Sequence, residues 1–163
     1  MIRAPLSVFA ALCVSACVAT PPLPTEPTPA PTPTASTVAT SGSETEVLSL
    51  INVERARIGA APLSPDVHLS KLAREYAELM VRDNFSDHDT PGGLTYEQRM
   101  AAAGYDDRAH GENIFEGSSN PNQAVTAWMN SRGHRANILN RKFQNIGVGY
   151  APPNRWVTIF TDR

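Results

Sequence analysis

Apolar residues return along this chain in three different rhythms. Between Ala4 and Val14 they run almost without a break, interrupted by Pro5. From about residue 47 to 139 they recur every three or four positions, the period of a helix with one buried face. After Ile146 they concentrate in two short runs rich in β-branched and aromatic residues, the mark of strands.

Punctuation residues divide the helical region. Ser43-x-x-Glu46 fits a capping box. The helix that follows puts Val47, Leu50, Ile51 and Ile58 on one side, and Gly59 ends it. Pro62 forces a break. Ser64-Pro65-Asp66 is a second start signal, with Ser64 as N-cap and Pro65 at the first helical position. Leu69, Leu72, Tyr76, Leu79 and Met80 then predict a helix over about 65–84. Thr90-Pro91-Gly92-Gly93 is a loop, and a short helix fits Thr95 to Ala103, closed by Gly104. Glu112 to Phe115 predicts a short strand. Asn120 or Pro121 opens a helix carrying Ala124, Val125, Trp128 and Met129; Gly133 interrupts it, and Ile138 and Leu139 mark a further turn. Ile146–Tyr150 and Trp156–Phe160 read as strands joined by a turn at Pro152-Pro153-Asn154. Helices dominate the first half and strands the end. That order predicts an α/β sandwich rather than a doubly wound sheet.

Composition separates this region from what precedes it. Residues 44–163 are long enough for one domain with a core of its own, and they hold all four His and both Trp. The net charge of −2 is spread over interspersed signs, so no basic face argues for nucleic acid as a partner. Both cysteines, Cys13 and Cys17, lie at the amino end. The domain therefore has no disulfide framework, no thiolate metal site and no cysteine nucleophile.

The amino end reads as an address. Met1-Ile2-Arg3 gives a positive start, and the apolar run after it is too short to span a bilayer but long enough for a signal-peptide core. It closes on Val14-Ser15-Ala16-Cys17, which resembles the bacterial lipobox, where small residues precede a cysteine that is lipidated and becomes the first mature residue. Residues 1–16 are thus expected to be a lipoprotein signal peptide and Cys17 the anchor to a membrane. Val18 is not acidic, and in such lipoproteins that implies the outer membrane rather than the inner one. Residues 17–43 then form a linker rich in Pro, Thr and Ala. Proline at this density favours extended polyproline II over any packed structure. The 26 residues after Cys17 reach at most roughly 80 Å at about 3.1 Å each.

Four ordered stretches of the domain resemble the CAP superfamily of cysteine-rich secretory, antigen and pathogenesis-related proteins. They are Asn52-Val53-Glu54-Arg55 through Pro62-Leu63; Phe85-Ser86-Asp87-His88; Gly111-Glu112-Asn113-Ile114; and Trp128 through Leu139. Gly147-Val148-Gly149 and Trp156–Phe160 fall where the family's closing strands lie. The resemblance covers essentially all of 45–161, is closest to the bacterial branch, and implies a three-layer α-β-α sandwich with a small central sheet. It also implies a cleft tetrad of two His and two acids. His88, Glu112 and His134 match three members, and Ser131 stands where the second acid belongs. The glutamine that the family carries on the last strand is replaced here by Val157 or Thr158.

Two imidazoles and a carboxylate from separate elements suit zinc or another divalent cation, with a position left for water. The same trio suits general acid–base chemistry, as in a metal-dependent hydrolase with His88 and His134 on the ion and Glu112 as ligand or base. Equally, His134 and Glu112 can simply bond buried backbone. Asp87 and Asp89 flank His88 as support or as a solvated loop. Motifs for calcium loops, zinc deaminases, phosphate loops and serine nucleophiles are missing or incomplete. His68 is expected at the surface, Trp128 and Trp156 in the core. The leading expectation is an exported envelope module that binds a lipid, a sterol-like molecule or a cell-wall component. A structural or adhesive stalked protein comes next and a hydrolase last.

Overall fold

Ser41, not Ser43, caps the first helix. The computed structural model describes residues 41–106 and 108–162, so the signal segment, Cys17 and the linker up to residue 40 lie outside the described residues. Helix α1 spans Gly42–Arg57, with Ser41 and Glu44 forming the capping box. Both Ser41 and Ser43 begin an S-x-x-E, so the local pattern fits either register. Burial decides between them. The Glu44 carboxylate accepts from the Ser41 and Tyr150 backbone N–H groups and takes a bidentate pair from Arg74, at 2.8–3.1 Å. Those partners satisfy a carboxylate that is only 1% exposed. Val47 and Ile51 are fully buried, whereas Ile58 lies beyond the helix and is exposed.

Ser64-Pro65 is not a helix start but a two-residue strand, β1 (Ser64–Pro65). Asp66 is the N-cap of α2 (Val67–Arg82), its side chain accepting from the Leu69 N–H. The later elements are α3 (Tyr96–Ala102), β2 (His110–Glu116), α4 (Pro121–Asn130), α5 (Arg132–Leu139), β3 (Asn145–Ala151) and β4 (Arg155–Thr161). Thr95 caps α3 with a box closed by Gln98, and Asn120 caps α4 ahead of Pro121. The break between α4 and α5 falls at Ser131, whose extended backbone interrupts the helix two residues before Gly133.

The strands form one sheet in the order β1-β3-β4-β2, with β1 parallel to β3 and the other pairs antiparallel. Alternation along the strands builds two cores. Ile146, Val148, Trp156 and Phe160 face α1, α4 and α5 together with Trp128. Val157, Ile159 and Ile114 face α2 and α3 with Leu69, Tyr76, Met80 and Met100. The result is the expected three-layer α-β-α sandwich. Trp128 is fully buried and donates its indole N–H to the Ile114 carbonyl at 2.9 Å; Trp156 donates to the Ser118 carbonyl.

Gly147 and Gly149 let α2 lie directly on β3. A Cβ at Gly147 would sit 2.1 Å from the Leu69 carbonyl carbon, and one at Gly149 2.2 Å from the Arg74 nitrogen. Only glycine fits where two backbones come this close.

Candidate functional site

Glu112 and Asn113 are neighbours on β2 and so point to opposite faces of the sheet. Each faces a different helix layer, and the site is assembled around that split. Asn113 binds α5: it donates to the His134 carbonyl at 3.1 Å and accepts from Asn137 at 2.9 Å. Asn137 also donates to the Glu112 carbonyl. Gly111 makes room for this, since a Cβ there would meet the Asn137 side chain at 2.9 Å. The Gly-Glu-Asn motif thus fixes where α5, and with it His134, meets the strand.

On the other face, the buried Glu112 carboxylate points towards α3. Its Oε1 lies 2.9 Å from His88 Nδ1. Both of its oxygens accept from Arg99 Nη2, at 3.1 and 3.0 Å. Arg99 also donates to the His88 carbonyl and stacks on Tyr76, its guanidinium carbon 3.4 Å from the ring centroid. Tyr76 in turn donates its hydroxyl towards the Asp87 and His88 carbonyls. The loop carrying His88 is therefore held by two side chains from two helices.

His88 and His134 face each other with ring centroids 6.3 Å apart. The bond to Glu112 raises the His88 pKa, against a smaller opposing effect of burial. Burial lowers the His134 pKa, and the nearby His88 charge lowers it further. One cleft thus presents one imidazole favoured as a cation and one favoured as neutral. Burial pushes the Tyr76 phenol up to about 12, so it stays a neutral donor.

The three residues expected from the sequence come together, but they do not fit an ion held by all three. Both Glu112 oxygens are already engaged by a guanidinium, whose positive charge would stand beside any cation bound there. Among the described residues no group of three or more His, Cys, Asp or Glu side chains is arranged to hold a metal ion. Ser131, in the place of the missing acid, makes no capping bond with its side chain. Val157 packs in the apolar core, and the buried Thr158 hydroxyl has no partner among the described residues. Asp89 accepts from the Tyr96 N–H and so orders the loop into α3. Tyr105 lies away from this cluster, paired with the exposed His68.

Nothing in the sequence pointed to Arg99, and Tyr76 stood out only as one of the apolar positions of α2. Both belong to an apolar cavity of about 260 Å³ between α2 and α3, walled also by Leu72, Leu79, Leu94 and Met100. Leu94 is 47% exposed at this cavity.

Comparison with known proteins agrees with this architecture. Residues 48–161 match the model of the cysteine-rich secretory protein (CAP) family. The uncharacterized protein YkwD of Bacillus subtilis is 44% identical over 110 residues, covering 68% of this chain and 43% of that protein. The uncharacterized membrane protein YlbC of the same organism is 33% identical over 107 residues, covering 66% of this chain and 31% of that protein. The chain thus spans less than half the length of either. Among solved structures, an extracellular SCP-domain protein of Bacillus anthracis superposes with a TM-score of 0.69 at 29% identity, covering 75% of this chain and 41% of that one. An outer surface protein of Borrelia burgdorferi gives 0.66 at 26% identity, covering 77% and 96%.

Proposed function

Because the chain belongs to the cysteine-rich secretory protein (CAP) family, we propose that it is an exported, envelope-anchored binding module for an amphiphilic ligand of lipid or sterol-like type. The observation that carries this reading is that Tyr76 and Arg99 belong at once to the apolar α2–α3 cavity and to the His88–Glu112 cluster. A ligand lying in the cavity brings its polar end to the imidazoles. Apolar walls favour the tail by about 25 cal/mol for each Å² removed from water. His88 Nε2 and the His134 ring make no hydrogen bond among the described residues and are left to meet the polar end. The divalent cation expected from the sequence has no place in this reading, because Glu112 is committed to Arg99.

Export and anchoring rest on the segment ending at Cys17. The extracellular and outer-surface character of the Bacillus anthracis and Borrelia burgdorferi proteins supports export. Lipidation of Cys17 and delivery to the outer membrane are the finer part of the proposal. Among the described residues no helix is long and apolar enough to cross a membrane.

The test is a titration of the full chain with dodecanoate below its micellar threshold, followed by methyl and imidazole NMR. Saturable shifts are expected at Leu72, Leu79, Met100 and His88, and Leu79→Asp should abolish them while circular dichroism stays unchanged. Shifts that never saturate, or that survive Leu79→Asp, remove the proposal.

A further inference from the structure

A second groove lies on the other side of the sheet, away from the His88 cleft. It runs between α1 and α4 with a volume of about 450 Å³. Leu50, Val53, Val125 and Met129 line it, and Val53 is 48% exposed. Asn122, Thr126 and Asn130 follow one another along α4 at four-residue intervals, so they form a single polar ladder on the groove wall. At one end Asn122 donates to Glu46 of α1 at 3.1 Å and bridges the two helices. Arg135 also lines the groove. Among the described residues the Arg135 side chain has no hydrogen bond and no ion pair. The other groove arginine, Arg57, is paired with Glu54.

We propose that this groove binds a short extended peptide carrying a carboxylate, with Arg135 as the charge that reads it. Spacing is the first argument. Residues four apart on a helix are separated by about 6 Å along the axis. Alternate residues of an extended strand repeat every 6.4–6.8 Å or so. The ladder therefore stays nearly in step with alternate backbone amides over about four peptide residues. Hydroxyl and carboxamide side chains can both donate to and accept from such amides. The alternate side chains of the peptide then rest on Leu50, Val53 and Met129. Charge is the second argument. Neither α4 nor α5 carries an acidic residue, and residues 117–161 contain no Asp or Glu at all. The acids near the groove are Glu46, bonded to Asn122, and Glu54, bonded to Arg57. Arg135 thus lacks a counter-charge, and its planar fork suits a carboxylate.

The test uses the full chain, labelled with nitrogen-15, and an N-acetylated alanine-valine-alanine-glutamate peptide with a free carboxyl terminus. Saturable amide shifts are expected along α1 and at Asn122, Thr126 and Asn130, with His88 and His134 unmoved. Arg135→Ala should weaken binding about fivefold, the scale of an exposed charge pair. Amidating the peptide and neutralising its glutamate should match that loss, and Arg135→Lys should recover part of it. Circular dichroism of both variants should be unchanged, as the side chain is exposed. No saturable shift, or a loss on Arg135→Ala that the neutral peptide also shows, overturns the proposal. So does a chitotetraose titration that moves the same amides while the peptide is silent. A chain lacking residues 18–40 that alone binds the peptide would assign the groove to the chain's own linker, and would equally overturn it.

Discussion

At His88 burial and hydrogen bonding act in opposite directions, and the Glu112 bond is the larger effect. The sign of the pH dependence follows. The pair stabilises the fold fully below the ordinary histidine value of about 6.5 and loses that contribution as pH rises through the raised His88 pKa. His134 acts the other way. Its pKa is lowered, so below about 6.5 the unfolded chain takes up a proton that folded His134 resists, and acid destabilises the fold there. His88 is about half exposed and His134 partly so, and solvent screens both, so the two contributions are small. Glu112→Gln separates them. The His88 midpoint should fall towards the ordinary value in imidazole NMR, and the midpoint of His134 should stay below it, because burial is its main cause. An unchanged His88 midpoint would show that the bond to Glu112 does not govern it. His88, Glu112 and His134 were legible in the sequence because each stands inside a motif with fixed neighbours. Arg99 was not. It is an ordinary polar position on a short helix, and only the packing of α3 beside α2 brings it onto Glu112 and Tyr76.

Many of the motif residues turn out to join elements rather than to serve the cleft. Asn52 exchanges two hydrogen bonds with the Leu63 backbone, fastening the loop after α1. Arg55 is fully buried and donates to the carbonyls of Ala61, Ile138, Asn140 and Phe143 at 2.8–3.1 Å. Two of these acceptors belong to the last turn and C-cap of α5, where the helix dipole favours a cation. Arg55→Met should cost about 3 kcal/mol or more in urea unfolding, because several buried carbonyls lose their partner together. A loss under about 1 kcal/mol would mean that water replaces the guanidinium. Gly149→Ala tests the α2–β3 contact in the same assay. Overpacking of a well-filled core costs about 1–3 kcal/mol. Here the added carbon collides with backbone, which cannot swing aside as a side chain would, so the upper end or beyond is expected. A near-neutral Gly149→Ala would show that α2 can lift from the sheet. Helices and strands were legible at this scale from periodicity and caps. Ser64-Pro65 was misread because its helix-start chemistry is genuine, but two residues early. Pairing with Asn145 and Ile146 holds both residues extended, and the cap passes to Asp66. The register of α1 was hidden for a related reason: Ser41 and Ser43 are locally equivalent, and Arg74, thirty residues on, selects between them.

For the whole molecule, the order of layers followed from the sequence of helical and strand-like segments, whereas the two grooves depend on how layers abut and left no mark in the pattern. The extensive backbone bonding of Asn52, Arg55, Asn113 and Asn137 gives weight to the alternative reading, a structural or adhesive protein on a stalk whose cleft does no binding. The proposed anchoring and the proposed binding are separable, and two variants separate them. A single acyl chain holds a protein only marginally, but two or three anchor it stably, at about 0.8 kcal/mol for each buried methylene. Cys17→Ser should therefore move the chain from the membrane pellet to the soluble exported fraction after ultracentrifugation. Its thermal midpoint should not change, since the core is built from residues of 41–162. Dodecanoate binding should also persist, because the α2–α3 cavity lies within those residues. The paired variant His88→Ala, His134→Ala should do the opposite, staying in the pellet and losing affinity for dodecanoate. If Cys17→Ser remains in the pellet, the anchor lies elsewhere. If the paired histidine variant binds as tightly as the parent, the polar end of the ligand does not meet the imidazoles and the adhesive reading takes precedence.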